Sequence, residues 1–312
     1  MTKTFRYANK AGTLAAVIYA LAFGASLWAL STFPGFSLTE PLFAFGTLAV
    51  VFPLLAVALT RNARSEISVI ARPASELSAI LGYLVVFAVA VLGFGFSAIN
   101  ATWPEDPTQS FVKLAAKLLT MVALPVLLLR GFGHTTGETL ALRWNWQRHG
   151  RALIGVGLAL LAFQAIFGRG LQTLLALHLN PTTLLWAVPA AFVWIVFEAG
   201  LCEEVLFRVG LQTRLAAVLN SEFAAVCLAS LVFGLAHAPG LYLRGAALME
   251  GAGAHPTLLW SVAYSVAIIS PAGFLLGTLW SRTRSLGLIV LLHALTDLLP
   301  GITQFYQSWN GG

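Results

Sequence analysis

"AGLCEEVLFRVGLQ", residues 199–212, sets Glu203, Glu204 and Arg208 in the middle of a long run of Leu, Val, Ile, Phe, Trp and Ala. If that run crosses a bilayer, each charge costs from a few kcal/mol to roughly 10 or more, so three of them close together need a purpose. The rest of the chain says that it does cross. Of 312 residues, 58% are hydrophobic and only 10% charged, where soluble domains carry about 25% charged residues. Mean hydropathy is +0.84. This is the composition of a polytopic membrane protein.

Apolar segments long enough to cross about 30 Å of hydrocarbon lie near 11–31, 42–60, 78–100, 112–130, 152–168, 186–207, 222–238, 257–280 and 285–300. They predict an all-α transmembrane helix bundle of about nine spans, with the polar site in its C-terminal half. The first segment follows "MTKTFRYANK" but is too long for a signal peptide and lacks a small-x-small cleavage site, so it reads as an uncleaved first helix. With no repeat, low-complexity tract or soluble insert, residues 1–312 read as one membrane domain. Its clearest punctuation is "ATWPEDPTQS" at 101–110, where Pro104 and Pro107 interrupt any helix.

Cytoplasmic loops should hold the basic residues. With the N terminus in the cytoplasm, 14 of the 18 Lys and Arg fall on the inner side; Arg169 and Arg244 lie outside, and Lys113 and Lys117 lie within the fourth span. Nine crossings then put "QFYQSWNGG" on the opposite side. The pI near 9.7 follows from this topology, so lipid is the implied partner and nucleic acid is not. Lys113 and Lys117, four apart on one helix face, read as cations snorkelling to the outer interface. The stretch 131–150 interleaves Trp144 and Trp146 with Arg143 and Arg148, a mixture suited to the inner headgroups. Cys202 and Cys227 lie in spans without CxxC spacing and read as packing residues.

On a helix, Glu204 and Arg208 share a stripe, so the guanidinium can hold that carboxylate ionised, while Glu203 points about 100° away and can have a different job. Further ionisable groups accompany them. His237 ends the apolar run "LVFGLAHAPG" (231–240), which Pro239 and Gly240 are expected to stop. In "LIVLLHALTDLLP" (288–300), His293 and Asp297 share one face of an apolar span. At 1.5 Å per residue, Glu203 lies about 16 Å and His293 about 13 Å from the inner ends of their spans, with His237 deeper at about 22 Å. Together the groups read as parts of one polar site.

"EEVLFR" (203–208), "FGLAH" (233–237) and "HALTD" (293–297) resemble, in order and spacing, the EExxxR, FxxxH and HxxxN/D motifs of the CPBP family of CAAX-protease and bacteriocin-processing intramembrane endopeptidases. The stretch "GFLLGTLWSRTRSLGLIVLLH" (273–293) is similar to the family's approach to its last motif. The resemblance covers 185–300, leaving 1–180 as accessory spans. Val209 stands where the family commonly has Gly, Asp297 where many members have Asn, and the segment between His237 and Gly273, with Glu250 and His255, is longer than usual. The resemblance implies a hydrolase of membrane-associated peptides or proteins of the type II CAAX prenyl endopeptidase kind. It implies that Glu203 and His237 activate water, that His293 and Asp297 support the oxyanion, and that Glu204 and Arg208 support the site.

Asp297 fits this scheme only if protonated or used to orient His293, because an ionised acid repels an oxyanion. Two His and carboxylates are also the ligand set of a catalytic Zn site, so Glu203, His237, His293 and Asp297 are the candidate ligands should the cofactor be a divalent metal such as Zn, although no HExxH is present. A non-catalytic reading stands beside these. Acid, Arg and His clusters also mark transporters, or scaffold or immunity-type relatives that keep the site's shape.

Overall fold

The computed structural model describes residues 9–62, 70–104, 106–140, 144–244 and 256–310. Glu250, His255, Lys3, Arg6, Arg64 and Arg143, all used in the sequence argument, lie outside those residues. Among the described residues there is no strand, and nine helices are long and apolar enough to cross a membrane. They are α1 Lys10–Ser31, α2 Thr39–Leu59, α3 Pro73–Thr102, α4 Thr108–Arg130, α5 Trp146–Phe167, α6 Pro181–Leu219, α7 Glu222–Leu243, α8 Leu258–Thr283 and α9 Leu286–Asn310. The chain is an integral, multi-pass membrane protein.

The hydropathy windows located each helix but cut α6 and α9 short, because helices continue past the hydrocarbon on residues that lower a window's average. Local chemistry sets the real ends. Asn180 caps α6 by accepting from the Thr183 N–H at 2.7 Å, with Pro181 in the first turn. Asn220, at φ 50°, ends the helix in the left-handed conformation, and Ser221 caps α7 directly afterwards. Arg284, at φ 47°, makes the equally short break between α8 and α9. As expected, the helix stops at Thr102 before Pro104 and resumes at Thr108 after Pro107. The regular α-helix of α7 ends at Leu235, shortly before Pro239, as expected. After a turn at Ala236 and His237, a helical segment Ala238–Arg244 starts with Pro239 in its first turn, where a missing N–H is harmless.

Two compact units share the chain, and the boundary between them falls inside α6, between Leu206 and Phe207. One comprises α1, α2, most of α3, α6 from Phe207 onward, α7 and α8. Its core includes Tyr19, Phe23, Trp260, Tyr264 and Phe274, with the Tyr19 and Ser270 hydroxyls 2.6 Å apart. α7 and α8 pack closely because Gly273 faces Ser230: a Cβ on that glycine would lie 2.7 Å from the Ser230 Oγ. Two ion pairs are buried here. Arg214 Nε lies 3.0 Å from Glu76 Oε2, and Arg284 pairs with Glu222 in the first turn of α7.

The other unit comprises α4, α5, α6 up to Leu206, and α9. Leu174, Ala191, Ile195, Ala199, Ala294, Leu298, Ile302 and Phe305 form its core. Gln164 of α5 donates to the Leu295 carbonyl at 2.7 Å and accepts from the Leu299 N–H at 3.3 Å. This ties α5 to α9 just before Pro300, whose ring removes a helical donor.

Candidate active site

The site is built where α6 and α9 touch. A Cβ on Gly200 would lie 2.8 Å from the Val290 carbonyl oxygen, so only glycine permits this approach of the two backbones. One turn beyond that contact stand Glu203 and Glu204 on α6, with His293 on α9. α6 is irregular there: π-helical segments Val196–Leu201 and Val205–Gln212 flank the three α-helical residues Cys202–Glu204. Such π turns are frequent at functional sites, although α2, α3, α4 and α8 each contain one as well.

His293 is the hub. Its Nδ1 lies 2.7 Å from Glu204 Oε1, a buried hydrogen bond in which the ring donates to the carboxylate. Its Nε2 faces Asp297 Oδ2 at 3.3 Å and Glu203 Oε2 at 3.7 Å. Burial falls away across the cluster: Glu204 is fully buried, the Glu203 side chain is 14% exposed and that of Asp297 45% exposed. One acid thus anchors the imidazole from within, while the other two keep part of their surface exposed.

The sequence assigned Glu204 to Arg208 and did not foresee its bond to His293. Helical periodicity reports only neighbours on the same helix, and this partner lies 89 residues away. Glu198 was also overlooked. It accepts from Lys117 across α4 and α6, so Lys117 does not snorkel outward as expected. The signal was available: an acid and a base, each in an apolar span and on different helices. Cys202 and Cys227 are buried and reduced, as expected.

Arg208 and His237 belong to the other unit, where Phe233 stands between them. The Arg208 guanidinium carbon is 4.9 Å from the centroid of that ring, and the His237 ring meets it edge-on at 5.0 Å. His237 Nδ1 lies 2.9 Å from the Phe233 carbonyl. A carbonyl can only accept, so Nδ1 carries the hydrogen, and in the neutral ring Nε2 is the basic nitrogen. The first and last residues of "FGLAH" therefore act together: Phe233 holds the ring and sets its tautomer.

Among the described residues, no three His, Cys, Asp or Glu side chains stand together as a group able to hold a metal. The metalloprotease reading gains no support from the described residues.

Residues 184–299 match the family model of Rce1-like, type II CAAX prenyl endopeptidases. The match spans α6 to α9 and all three motifs, so the resemblance seen in the motifs extends over the whole segment that carries them. The match covers little more than a third of the chain, and it says what this segment is similar to. No curated protein and no solved structure matches the chain.

Proposed function

We propose that the Rce1-like segment hydrolyses a peptide bond in a membrane-associated peptide or protein by glutamate-activated water, with 185–300 as the catalytic core and 1–180 as accessory spans. The observation that carries this reading is the contrast around His293: one carboxylate, Glu204, is committed to the ring at 2.7 Å, while Glu203 faces the ring's other nitrogen at 3.7 Å, beyond hydrogen-bond length. Glu203 is the general base. It takes a proton from water as the water oxygen attacks the scissile carbonyl, then returns it to the amine as the C–N bond breaks, so the products are one carboxylic acid and one amine.

His237 enters by its motif, and its basic Nε2 suits it to assisting with the same water. His293, protonated at both nitrogens, donates Nδ1–H to Glu204 and presents Nε2–H toward the developing oxyanion. Asp297 accepts at that nitrogen between turnovers and orients the ring, a role compatible with its charge. Glu204 and Arg208 are supporting residues, not proton carriers. The N terminus lies in the cytoplasm and the C terminus on the opposite side; reporter fusions that place both ends on one side would overturn that topology.

The test is cleavage of a membrane-embedded peptide by purified protein, with and without a chelator, beside a metal analysis. Wild-type activity that survives chelation and disappears in Glu203→Gln is the expected result. Stoichiometric metal with chelator-sensitive activity would overturn the metal-free mechanism, and undiminished activity in both Glu203→Gln and His237→Ala would overturn the site.

A further inference from the structure

The unit of α4, α5, α9 and the first part of α6 carries four carboxylates around the site, Glu198, Glu203, Glu204 and Asp297. Lys117 pairs with the first of these, and His293 meets the other three. Three of these acids contact one imidazole, and like charges at such separations repel strongly where water is scarce. His293 can offset at most one of them. The Lys117 ammonium is therefore in a position to matter.

Lys117 lies within a span, and the simplest expectation for such a cation is that its stem carries the charge out to the headgroups. It does the opposite. The ammonium stays part-buried and bonds Glu198 on α6. Glu198 precedes Glu203 by five residues, about one turn of the π-helical segment Val196–Leu201. The Cys202–Glu204 turn packs against α4 directly after Lys117, over Leu118–Ala123. Lys117 thus stands at the level of the site, beside the turn of α6 that carries Glu203.

We propose that Lys117 is a positioning residue for hydrolysis: Glu198 holds its ammonium beside α6, and its positive charge allows Glu203 to stand as a carboxylate next to Glu204 and Asp297. The inference rests on the reading of Glu203 as the base. Lys117 touches neither water nor peptide in this scheme and acts only through Glu203, so its removal should lower turnover and leave substrate binding in place.

The experiment compares Lys117→Gln, Lys117→Arg and the double variant Lys117→Gln/Glu198→Gln with wild type in the peptide-cleavage assay, reading kcat and KM separately. Lys117→Gln should lose roughly tenfold or more in kcat with KM within about twofold, and Lys117→Arg, which keeps the charge, should recover most of that loss. The double variant removes Glu198 together with its cation, so it leaves no broken Lys117–Glu198 pair and serves where the single one fails to insert; it too should stay slow. Wild-type kcat in the double variant would mean that Lys117 merely neutralises Glu198, and would overturn the proposal. So would wild-type kcat in Lys117→Gln, or a rise in KM alone. A wild-type protein that cleaves nothing sinks the hydrolase reading and this inference with it, whereas wild-type rates in Lys117→Gln sink the inference alone.

Discussion

Two groups of intramembrane charges serve different ends in this protein. In the unit with α7 and α8, Arg214 faces Glu76 and Arg284 faces Glu222, each cation matched by one acid and both members buried. In the cluster around His293, three acids meet one imidazole, two carboxylates share one of its nitrogens, and Glu203 and Asp297 keep part of their surface exposed. Matched, sealed pairs can only hold helices together, because every charge is already compensated. An unbalanced, half-open cluster is poorer as a fastener and better as chemistry, since its groups can still exchange protons with an incoming water.

The sharpest way to break this comparison is to remove one acid from each group. Glu203→Gln keeps size and shape but cannot take a proton, so cleavage should fall about 10²- to 10⁴-fold while the melting temperature in detergent stays within a few degrees of wild type. Glu76→Ala should do the reverse, costing roughly 3–5 kcal/mol because it strips a buried guanidinium of its carboxylate, with kcat of the folded fraction unchanged. If Glu203→Gln unfolded the protein, or Glu76→Ala slowed catalysis without loosening it, the division of labour would be wrong.

A smaller effect sharpens it. Gly200→Ala pushes a methyl into the Val290 carbonyl and separates α6 from α9. It should cost about 1–3 kcal/mol and slow cleavage roughly tenfold or more through misplacement of Glu203 against His293; a rate at the wild-type level would show that the close approach does not set the site.

The nine apolar helices among the described residues were legible in the sequence, because a bilayer forces every spanning segment to be long, apolar and helical, and hydropathy measures those properties. The three motifs were legible for a related reason: an ionisable side chain is so costly in an apolar span that each one marks itself. Glu203, Glu204, Arg208, His237, His293 and Asp297 could all be picked out this way. What each touches could not. That Glu204 bonds His293, that Lys117 turns inward to Glu198 and that Gly200 lets two backbones meet are contacts between helices far apart in the chain. Periodicity records only which face a residue occupies, and the partner across that face is decided when the helices pack.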